Sequence, residues 1–469
     1  MIENIRFNNF KRFKEESLDL TRPITLLYGQ NSSGKSSALK GIAALLQTFS
    51  WMRNKHEPLV TQGDYANLGV YKDYVHDHRT ANKITFNLLT KAEAWSVPFA
   101  NLESSITHLS TKLCYDRSPY TEQARIYLIE GGVKLSDGSE RLVFTLKRAE
   151  TKAYYTITVD PDALKAMAFM YGRGKDALAD KEIKRLASLK TKLKYIEGFS
   201  FSLHSVGKED DVSSTKIRVL ERYMYALFQL HEKYKYLGPL RSSPNRSYTL
   251  SAASSDVGPK GENTPSVISY LKRSSESIKD NKDAYLKILR WIKLLFPGRS
   301  IEVEDYEELV KLKITRKGVA DSIQDVGFGF SQILPIIVQA AALKPGNTLV
   351  IEQPELHLHP SAQVAFSKFL VEASRSGIRF IIETHSEHLL RGLQLAISEN
   401  SISKAVGISK SDLRVVYFPS EEGNTSFEIE INDDGELVEG WPAGFFDESY
   451  NLTKQMINNK ISKLAGKSL

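Results

Sequence analysis

Cysteine is almost absent from this 469-residue sequence, which contains only Cys114. A single cysteine cannot form an internal disulfide, and it excludes a zinc site built from several thiolates. Low cysteine content is typical of proteins in a reducing compartment. We therefore expect the fold to depend on a hydrophobic core alone, and 41% of the residues are hydrophobic.

Long hydrophobic runs are also absent. The longest apolar run, ILPIIVQAAAL at 333–343, is much shorter than the about 20 residues that a membrane-spanning helix needs. The N-terminal segment MIENIRFNNF carries charges where a signal peptide would have an apolar centre. The sequence thus predicts a soluble, cytoplasmic protein with no membrane partner.

Strong charge of one sign is likewise missing. The formal net charge is +7 and the isoelectric point about 9.0. This mild excess of base permits contact with nucleic acid through phosphate attraction but does not require it, so DNA is a possible partner. A solvated surface rich in lysine is the alternative interpretation. No low-complexity tract and no fixed-period repeat is present.

Hydrophobic patterning divides the first half of the chain into a β-rich part and a helical part. Residues 1–28 predict two strands, and β-branched and aromatic runs over 80–160 predict several more. Apolar residues at three- and four-residue steps predict helices over 161–197 and 214–235. Two such helices indicate a short antiparallel hairpin inserted into the fold. Within it, residues 171–195 carry an excess of lysine and arginine, which is typical either of a phosphate-backbone contact or of a solvated helix.

The second half of the chain becomes a regular alternation of helices and strands. The pattern predicts an amphipathic helix at 283–296 and then, in order, helix 331–343, strand 348–352, helix 360–375, strand 378–383 and helix 386–398. Such alternation is typical of a mainly parallel sheet with a ligand at the carboxyl ends of its strands. We accordingly divide the chain into an N-terminal half (1–160), the helical insertion (161–235), a C-terminal half (236–400) and a small module (401–469).

The segment GQNSSGKS at 29–36 carries the clearest chemical signal. It follows a buried-strand pattern and precedes a helical one, as a phosphate-binding P-loop does. In such a loop the glycines let the backbone wrap a phosphate, the lysine supplies a point charge and the serine completes a Mg²⁺ shell. The residues predicted to bind ATP and Mg²⁺ here are Gly29, Asn31, Ser32, Ser33, Gly34, Lys35, Ser36 and Ser37.

Three further motifs follow in the C-terminal third. DVGFGFSQILPII (325–337) is a glycine-rich turn that opens a helix, LVIEQPELHLHP (349–360) is an apolar strand that ends in Glu352, and FIIETHSEHLL (380–390) is an apolar strand followed by His385. A helix N-terminus offers free N–H groups to an anion. An acid at the end of a buried strand suits a magnesium site.

This ordered set resembles the head of ATP-binding-cassette ATPases, in particular its SMC-like and OLD-like branch. The resemblance implies an α/β fold of mixed and parallel sheets with flanking helices. It implies that Gly329, Ser331 and Gln332 form a signature-like loop, which touches the γ-phosphate bound by an opposite subunit. The chain would then work as a homodimer or a higher homo-oligomer. It further implies that His385 is a switch histidine and that Glu352 and Ser36 hold Mg²⁺. Gln62 is either the counterpart of the family's metal-contacting glutamine or an ordinary loop glutamine.

The sequence is still more similar to bacterial AAA-family ATPases that end in a short module, here VVYFPSEEGNTSFEIEINDDGELVEGWPAGFFDES (415–449). Members of that group serve in anti-phage defence systems such as Septu, paired with a separately encoded nuclease. The resemblance therefore implies a partner nuclease of HNH or Toprim type. We find no Toprim-like set of acids in the chain itself, where the acids at 433–436 lie in a predicted hairpin turn. No nuclease activity of its own is expected.

Gln353 raises the main question about activity, because a second acid that polarises the attacking water commonly follows the magnesium acid. Glutamine cannot accept a proton, although it can orient a water molecule. Hydrolysis is then slow, and the ATP-bound state persists as a switch. The alternative is that Glu355 or Glu352 acts as the base and turnover is normal. Two other functions stay open: a DNA-repair type of DNA-clamping ATPase, and a scaffold with a vestigial ATP site.

Two smaller groups of residues allow two interpretations each. Arg241 and Arg246 either neutralise phosphate or bind the partner, or they form surface ion pairs. His357 and His359, near Glu355, alternate as metal ligands can, but no third imidazole or thiol is evident. We expect no metal other than Mg²⁺.

Overall fold

The computed structural model describes residues 1–51, 57–92, 106–149, 154–164, 184–185, 190–197, 199–203, 211–250, 255–403, 407–421, 423–442, 452 and 454–459. The strands are β1 (Ile2–Phe10), β2 (Phe13–Asp19), β3 (Ile24–Gly29), β4 (Ile84–Lys91), β5 (Ile106–Arg117), β6 (Ala124–Leu135), β7 (Glu140–Arg148), β8 (Tyr155–Val159), β9 (Thr191–Glu197), β10 (Ser200–Leu203), β11 (Tyr234–Leu237), β12 (Tyr248–Thr249), β13 (Arg299–Asp305), β14 (Leu309–Arg316), β15 (Val319–Ser322), β16 (Thr348–Glu352), β17 (Arg379–Glu383), β18 (Leu413–Phe418) and β19 (Phe427–Glu428). The α-helices are α1 (Lys35–Trp51), α2 (Tyr71–Tyr74), α3 (Asp211–Phe228), α4 (Leu230–Lys233), α5 (Thr264–Ser274), α6 (Lys279–Leu295), α7 (Phe328–Ala342), α8 (Pro360–Arg375) and α9 (Glu387–Ile402), and short 3-10 turns lie at His76–His78 and Lys410–Asp412.

The chain forms two compact units from interleaved segments. Unit 1 consists of residues 1–21, 36–238 and 344–350, and unit 2 of residues 22–35, 239–343 and 351–469. The strands form one nine-stranded sheet, one six-stranded sheet in the order β11-β16-β17-β3-β18-β19, and one small sheet with the path β12-β14-β13, to which β15 adds.

Unit 1 is built around an antiparallel sheet in the order β10-β9-β8-β7-β6-β5-β4-β1-β2. Alternating buried residues along each strand, such as Ile84, Phe86 and Leu88 in β4, give the sheet one apolar face. Phe7 and Phe10 belong to an aromatic core on that face. Gly41 of α1 lies so close that an added Cβ would come within 2.4 Å of the Phe7 ring. The opposite face of the sheet is therefore left to solvent-facing residues.

Unit 2 contains the parallel strands that the sequence predicted. Strand β3 pairs in parallel with β17 on one side and with β18 on the other. Every residue of β3 is buried, as expected for a strand covered on both faces. The carboxyl ends of β3 and β17 consequently lie at the same edge of the sheet, and the loops that follow them meet there.

Two helices near that edge begin at well-formed caps. The Ser386 hydroxyl accepts a hydrogen bond from the N–H of Leu389 at 2.9 Å and opens α9. The His359 ring accepts a hydrogen bond from the N–H of Ser361, and Pro360 occupies the first turn of α8. A helix start leaves several backbone N–H groups unpaired. Ser386 accepts a hydrogen bond from one of them, and Pro360 has no N–H group to satisfy.

The predicted mixed and parallel sheets with flanking helices are confirmed, and two element predictions were wrong. Residues 1–28 contain three strands, because Lys11 and Arg12 form a turn between β1 and β2. Residues 191–197 form strand β9, which pairs with β8 and so extends the nine-stranded sheet. Apolar spacing at 186–196 suggested a helix there, but tertiary pairing at a sheet edge determines the structure. Residues 165–183 and 186–189 of the predicted hairpin lie outside the described residues.

Candidate nucleotide site

The P-loop joins β3 to α1 and adopts a conformation that depends on glycine. Gly29 has φ 143° and Gly34 has φ 115°, both in a region that side chains rarely adopt. A Cβ at Gly29 would lie 2.4 Å from the Phe418 carbonyl oxygen and 2.6 Å from the Ser33 hydroxyl. The loop thus has no room for a side chain at its first residue. This is the tight wrap that the sequence predicted for a phosphate cradle.

Lys35, the first residue of α1, is folded back over this loop. Its ammonium donates hydrogen bonds to the carbonyl oxygens of Gly29 at 2.8 Å and Gln30 at 2.7 Å. An ammonium has three donors, so one remains for an anion. Burial lowers the pKa of Lys35, and the negative charges of Glu383 and Glu355 oppose that shift. A buried cation held near two acids gives the loop a fixed positive centre.

The magnesium acid predicted at the end of β16 lies where expected. Glu352 is buried, and its carbonyl oxygen accepts a hydrogen bond from the Arg241 guanidinium at 2.9 Å. Arg241 itself is only 5% exposed. The interpretation of Arg241 as a surface ion-pair residue was therefore wrong. That interpretation is confirmed for Arg246, which is exposed and pairs with Asp325 at 3.1 Å.

Glu355 connects the loop after β16 to the loop after β17. Its carboxylate accepts a hydrogen bond from the Thr384 hydroxyl at 2.8 Å and another from the backbone N–H of His385 at 2.6 Å. Burial raises the pKa of Glu355, while these two hydrogen bonds and the Arg241 charge oppose the shift. Both carboxylate oxygens are thus engaged in holding the His385 segment.

His385 and Gln353 lie on these two connected loops. Burial and the Lys35 charge lower the pKa of the His385 imidazole, which favours its neutral form. Gln353 has φ 44°, an uncommon value for a residue other than glycine, and its N–H donates to the Glu383 carbonyl oxygen at 2.7 Å. The backbone of Gln353 is therefore fixed by β17, and its side chain carries no acid.

Glu383 is a site residue that sequence reasoning missed. It ends β17, is 3% exposed, and its negative charge opposes the lowering of the Lys35 pKa by burial. The signal was present in FIIETHSEHLL, where an acid directly follows three apolar residues of a strand. The buried charges of this edge are thus two basic residues, Lys35 and Arg241, and three carboxylates, Glu352, Glu355 and Glu383.

The signature-like loop opens α7 in unit 2. A Cβ at Gly329 would lie 2.6 Å from the His357 carbonyl oxygen, so the close approach requires glycine. Ser331 and Gln332 are buried, and the Ser331 hydroxyl donates to the Phe328 carbonyl oxygen at 2.7 Å. Gly327 and Phe328 are the exposed residues at the helix start. An anion approaching from solvent would therefore meet the N–H groups of this first turn before the Ser331 hydroxyl.

A family model described as an AAA ATPase domain matches residues 1–390. The chain belongs to the AAA ATPase domain family. A second model, described as a protein of unknown function (DUF3696), matches residues 408–456. This agrees with the short C-terminal module that the sequence indicated. A search among curated proteins found no match.

Among solved structures, this AAA ATPase domain is similar to three SMC head domains. The SMC head domain from Thermotoga maritima is 11% identical, with 92% of this chain and 99% of that chain covered and a TM-score of 0.36. An SMC head bound to the C-winged helix domain of ScpA is 12% identical, with 91% and 97% covered and a TM-score of 0.41. An SMC head with an extended coiled coil, bound to the C-terminal domain of ScpA derived from Pyrococcus furiosus, is 11% identical, with 92% and 96% covered and a TM-score of 0.41. With TM-scores below 0.5, these similarities carry none of the functional argument.

The other candidate residues of this ATPase domain lie at different places. Asn31 and Ser32 are exposed in the P-loop, and Ser32 has φ 62°. Ser36 and Ser37 follow Lys35 in the first turn of α1 and belong to unit 1. Gln62 also belongs to unit 1, where it is exposed and forms an isolated bridge with Asn67. Its role as a metal contact stays a prediction.

His357 and His359 have other contacts in the AAA ATPase domain. The His357 ring packs edge-on against Phe328, with 4.9 Å between ring centroids. The His359 ring caps α8. Within the described part of the chain, no group of three or more His, Cys, Asp and Glu side chains is arranged to hold a metal ion. No helix in that same part is long and apolar enough to span a membrane.

Proposed function

We propose that this chain binds ATP with Mg²⁺, hydrolyses it slowly and uses the long-lived bound state as a switch. The fit to a phosphate rests on the cradle at Gly29, which a Cβ would fill, and on Ser33, whose buried hydroxyl has no hydrogen-bond partner among the described residues. The loop residues Gly29 to Ser37 would bind the phosphates, and Lys35 would hold the γ-phosphate end. Ser36 and Glu352 would hold Mg²⁺, with Gln62 as a further ligand.

Magnesium would supply charge neutralisation at the transferred phosphoryl group. The residues of the chain have separate tasks in this proposal. Lys35 keeps one donor directed at the phosphates, since the other two bind the loop carbonyls. Glu355 holds the backbone of His385, so that a neutral imidazole is presented to the γ-phosphate. Arg241 stabilises the end of β16 through the Glu352 carbonyl.

The observation that supports slow hydrolysis is the hydrogen bonding of the Glu355 carboxylate. Both of its oxygens accept hydrogen bonds from the His385 segment, which makes it a poor candidate for the base. Gln353 cannot accept a proton either. Loss of a general base typically costs about 10²–10⁴ in rate. Gln353 would instead orient the water by hydrogen bonds, which lowers turnover without weakening nucleotide binding.

The proposed assembly is a homodimer, or a higher homo-oligomer, closed around ATP. The exposed start of α7, at Gly327 and Phe328, would then receive the γ-phosphate bound by a second copy. The motif set of the sequence, together with its C-terminal module, supports a role as the regulatory or scaffold subunit of a bacterial anti-phage complex. The partner would be a separately encoded nuclease of HNH or Toprim type. A DNA-clamping ATPase without such a partner is the second candidate, and the basic surface described below favours it.

Turnover of Gln353→Glu tests the slow-switch proposal. Supplying the missing base should raise the rate of phosphate release by up to about 10²-fold, with an unchanged nucleotide affinity. Gln353→Ala is the matched control, since it removes the amide without supplying an acid, and it should not exceed the wild type. Lys35→Ala should abolish nucleotide binding. A wild-type rate near 10 s⁻¹, about the median for enzymes, that Gln353→Glu fails to increase would exclude the slow switch.

A further inference from the structure

The solvent-facing side of the nine-stranded sheet in unit 1 carries a row of aligned residues. Residues directly opposite on neighbouring strands share one face of a sheet. Lys147 of β7 lies opposite Thr156 of β8, and Thr156 lies opposite Lys192 of β9. On the other side, Lys147 lies opposite Leu128 of β6. Their neighbours along the strands, Leu146, Ile157 and Leu193, are buried, so the row itself points away from the core.

This row belongs to a basic face, which we define as Lys83, Lys147, Lys192 and Lys194 together with Arg6 and Lys112. Arg6 and Lys112 each form an ion pair: Glu15 lies 3.8 Å from Arg6, and Glu130 lies 3.2 Å from Lys112. The four remaining lysines are exposed, and none makes an ion pair with a carboxylate of the residues that the structure describes. These six basic residues and the two carboxylates together carry a net charge of +4.

Two partly exposed tyrosines lie among these lysines, and lysine ammonium groups lie over their rings. The Lys83 ammonium is 3.5 Å from the centre of the Tyr127 ring, and that of Lys147 is 5.8 Å from it. The Lys192 ammonium lies 5.3 Å from the centre of the Tyr154 ring. Cation–π contacts hold the lysine heads in place over the sheet. A ring already engaged by an ammonium is a poorer stacking platform for the unpaired bases of a single strand.

We propose that the basic face of unit 1 binds the phosphate backbone of double-stranded DNA without reading its sequence. The charge complementarity supports a polyanion, and the engagement of both tyrosine rings by lysines favours a duplex over a single strand. A broad sheet also suits a rigid duplex, because strands about 4.8 Å apart place Lys147 and Lys192, two strands apart, about 10 Å from each other. Aligned lysines at such spacings can contact several phosphates of one backbone. This surface is independent of the nucleotide site.

The test is binding of a DNA duplex of about three helical turns, or about 30 base pairs, by the full chain at several salt concentrations. The variant Lys83→Gln, Lys147→Gln, Lys192→Gln removes three of the excess charges. We expect its affinity to fall at least about tenfold at low salt. We also expect the slope of log affinity against log salt to decrease by about one for each lysine that contacts a phosphate. Substitution of the same three lysines by arginine should restore binding.

The matched control removes three exposed lysines from helix α6 instead: Lys279→Gln, Lys282→Gln and Lys293→Gln. Its net charge is the same as that of the test variant, so a simple charge effect would weaken both equally. The proposal is overturned if both variants lose affinity to the same extent, if a single strand of equal length binds more tightly than the duplex, or if only vesicles of anionic phospholipid are bound. Nucleotide affinity should stay unchanged in both variants.

Discussion

At the residue scale, the hydrogen-bond partners of each charged side chain decide which role it can have in the site. Glu355 appeared in the sequence as a spare acid and a possible base. In the fold it accepts hydrogen bonds from the Thr384 hydroxyl and the His385 N–H. We therefore propose that Glu355 is a positioning residue that holds the His385 segment. This distinction can be tested, because a base and a positioning residue respond differently to substitution.

Glu355→Gln should lower kcat by about tenfold or more while nucleotide affinity stays nearly the same. An amide has one acceptor oxygen and one NH₂ group, so one of the two donors loses its partner, and an unpaired buried donor costs about 1–3 kcal/mol. Steady-state kinetics and nucleotide titration measure the two quantities separately. Thr384→Ser keeps the hydroxyl and should behave like the wild type, whereas Thr384→Val should resemble Glu355→Gln. A loss of thermal stability with unchanged kcat would contradict a positioning role.

His385 should make the fold sensitive to mild acid. Its pKa in the folded state lies below the ordinary value of 6.5. The unfolded chain therefore binds the proton more readily, and the contribution of His385 to stability is lost as pH falls below about 6.5 towards the folded pKa. Denaturant unfolding of wild type and His385→Gln between about pH 7.5 and pH 5.5 measures this difference. His388→Gln, which changes an exposed histidine in the same motif, is the control. If the unfolding free energy of both variants has the same pH dependence, His385 is not the source of the acid sensitivity.

At the scale of elements, close backbone approaches determine where loops lie. The start of α7 touches the loop after β16, because Gly329 has no side chain to separate it from the His357 carbonyl. The Phe328 ring packs on the His357 ring beside this approach. The signature-like loop is consequently held against the loop that follows Glu352.

Gly329→Ala should destabilise unit 2 by about 1–3 kcal/mol, because the new Cβ would overlap a backbone atom that cannot rotate away. Gly327→Ala, two residues earlier, meets no atom within 4 Å. It should cost less than about 1 kcal/mol, the weak preference for glycine over alanine at a helix start. Chemical denaturation of the two variants gives the comparison. Equal losses would mean that the approach at Gly329 is easily relaxed.

At the scale of the whole molecule, the proposed switch is an ATP-dependent change of assembly. With ATP and Mg²⁺, the wild type should form dimers that persist for many minutes, since hydrolysis is slow. Gln353→Glu should form dimers that dissociate as ATP is consumed, and Lys35→Ala should stay at its nucleotide-free size. Analytical ultracentrifugation measures the sizes. Assembly that does not respond to nucleotide in the wild type would favour the scaffold interpretation instead.

The limits of sequence prediction follow from particular residues. The helix 360–375 and the strand 348–352 were predicted with the bounds that the structure has, because their apolar periods and the flanking Pro360 and Glu352 are local signals. Strand β9 was mistaken for a helix, because pairing with β8 overrides its apolar spacing. For Arg241 the sequence left a surface ion pair open beside other roles, because its burial depends on a strand end that is distant in the sequence.

The sequence by itself determined the motifs of this protein: a P-loop, an acid at the end of a buried strand, a glycine-rich turn and a histidine after a second strand, all in one order along the chain. These are properties of short segments, where residue type and spacing suffice. The tertiary structure alone decided the roles of Glu355, Glu383 and Arg241. Their partners lie on loops and strand ends far apart in sequence, and these residues meet only because neighbouring strands of the sheet end at the same edge.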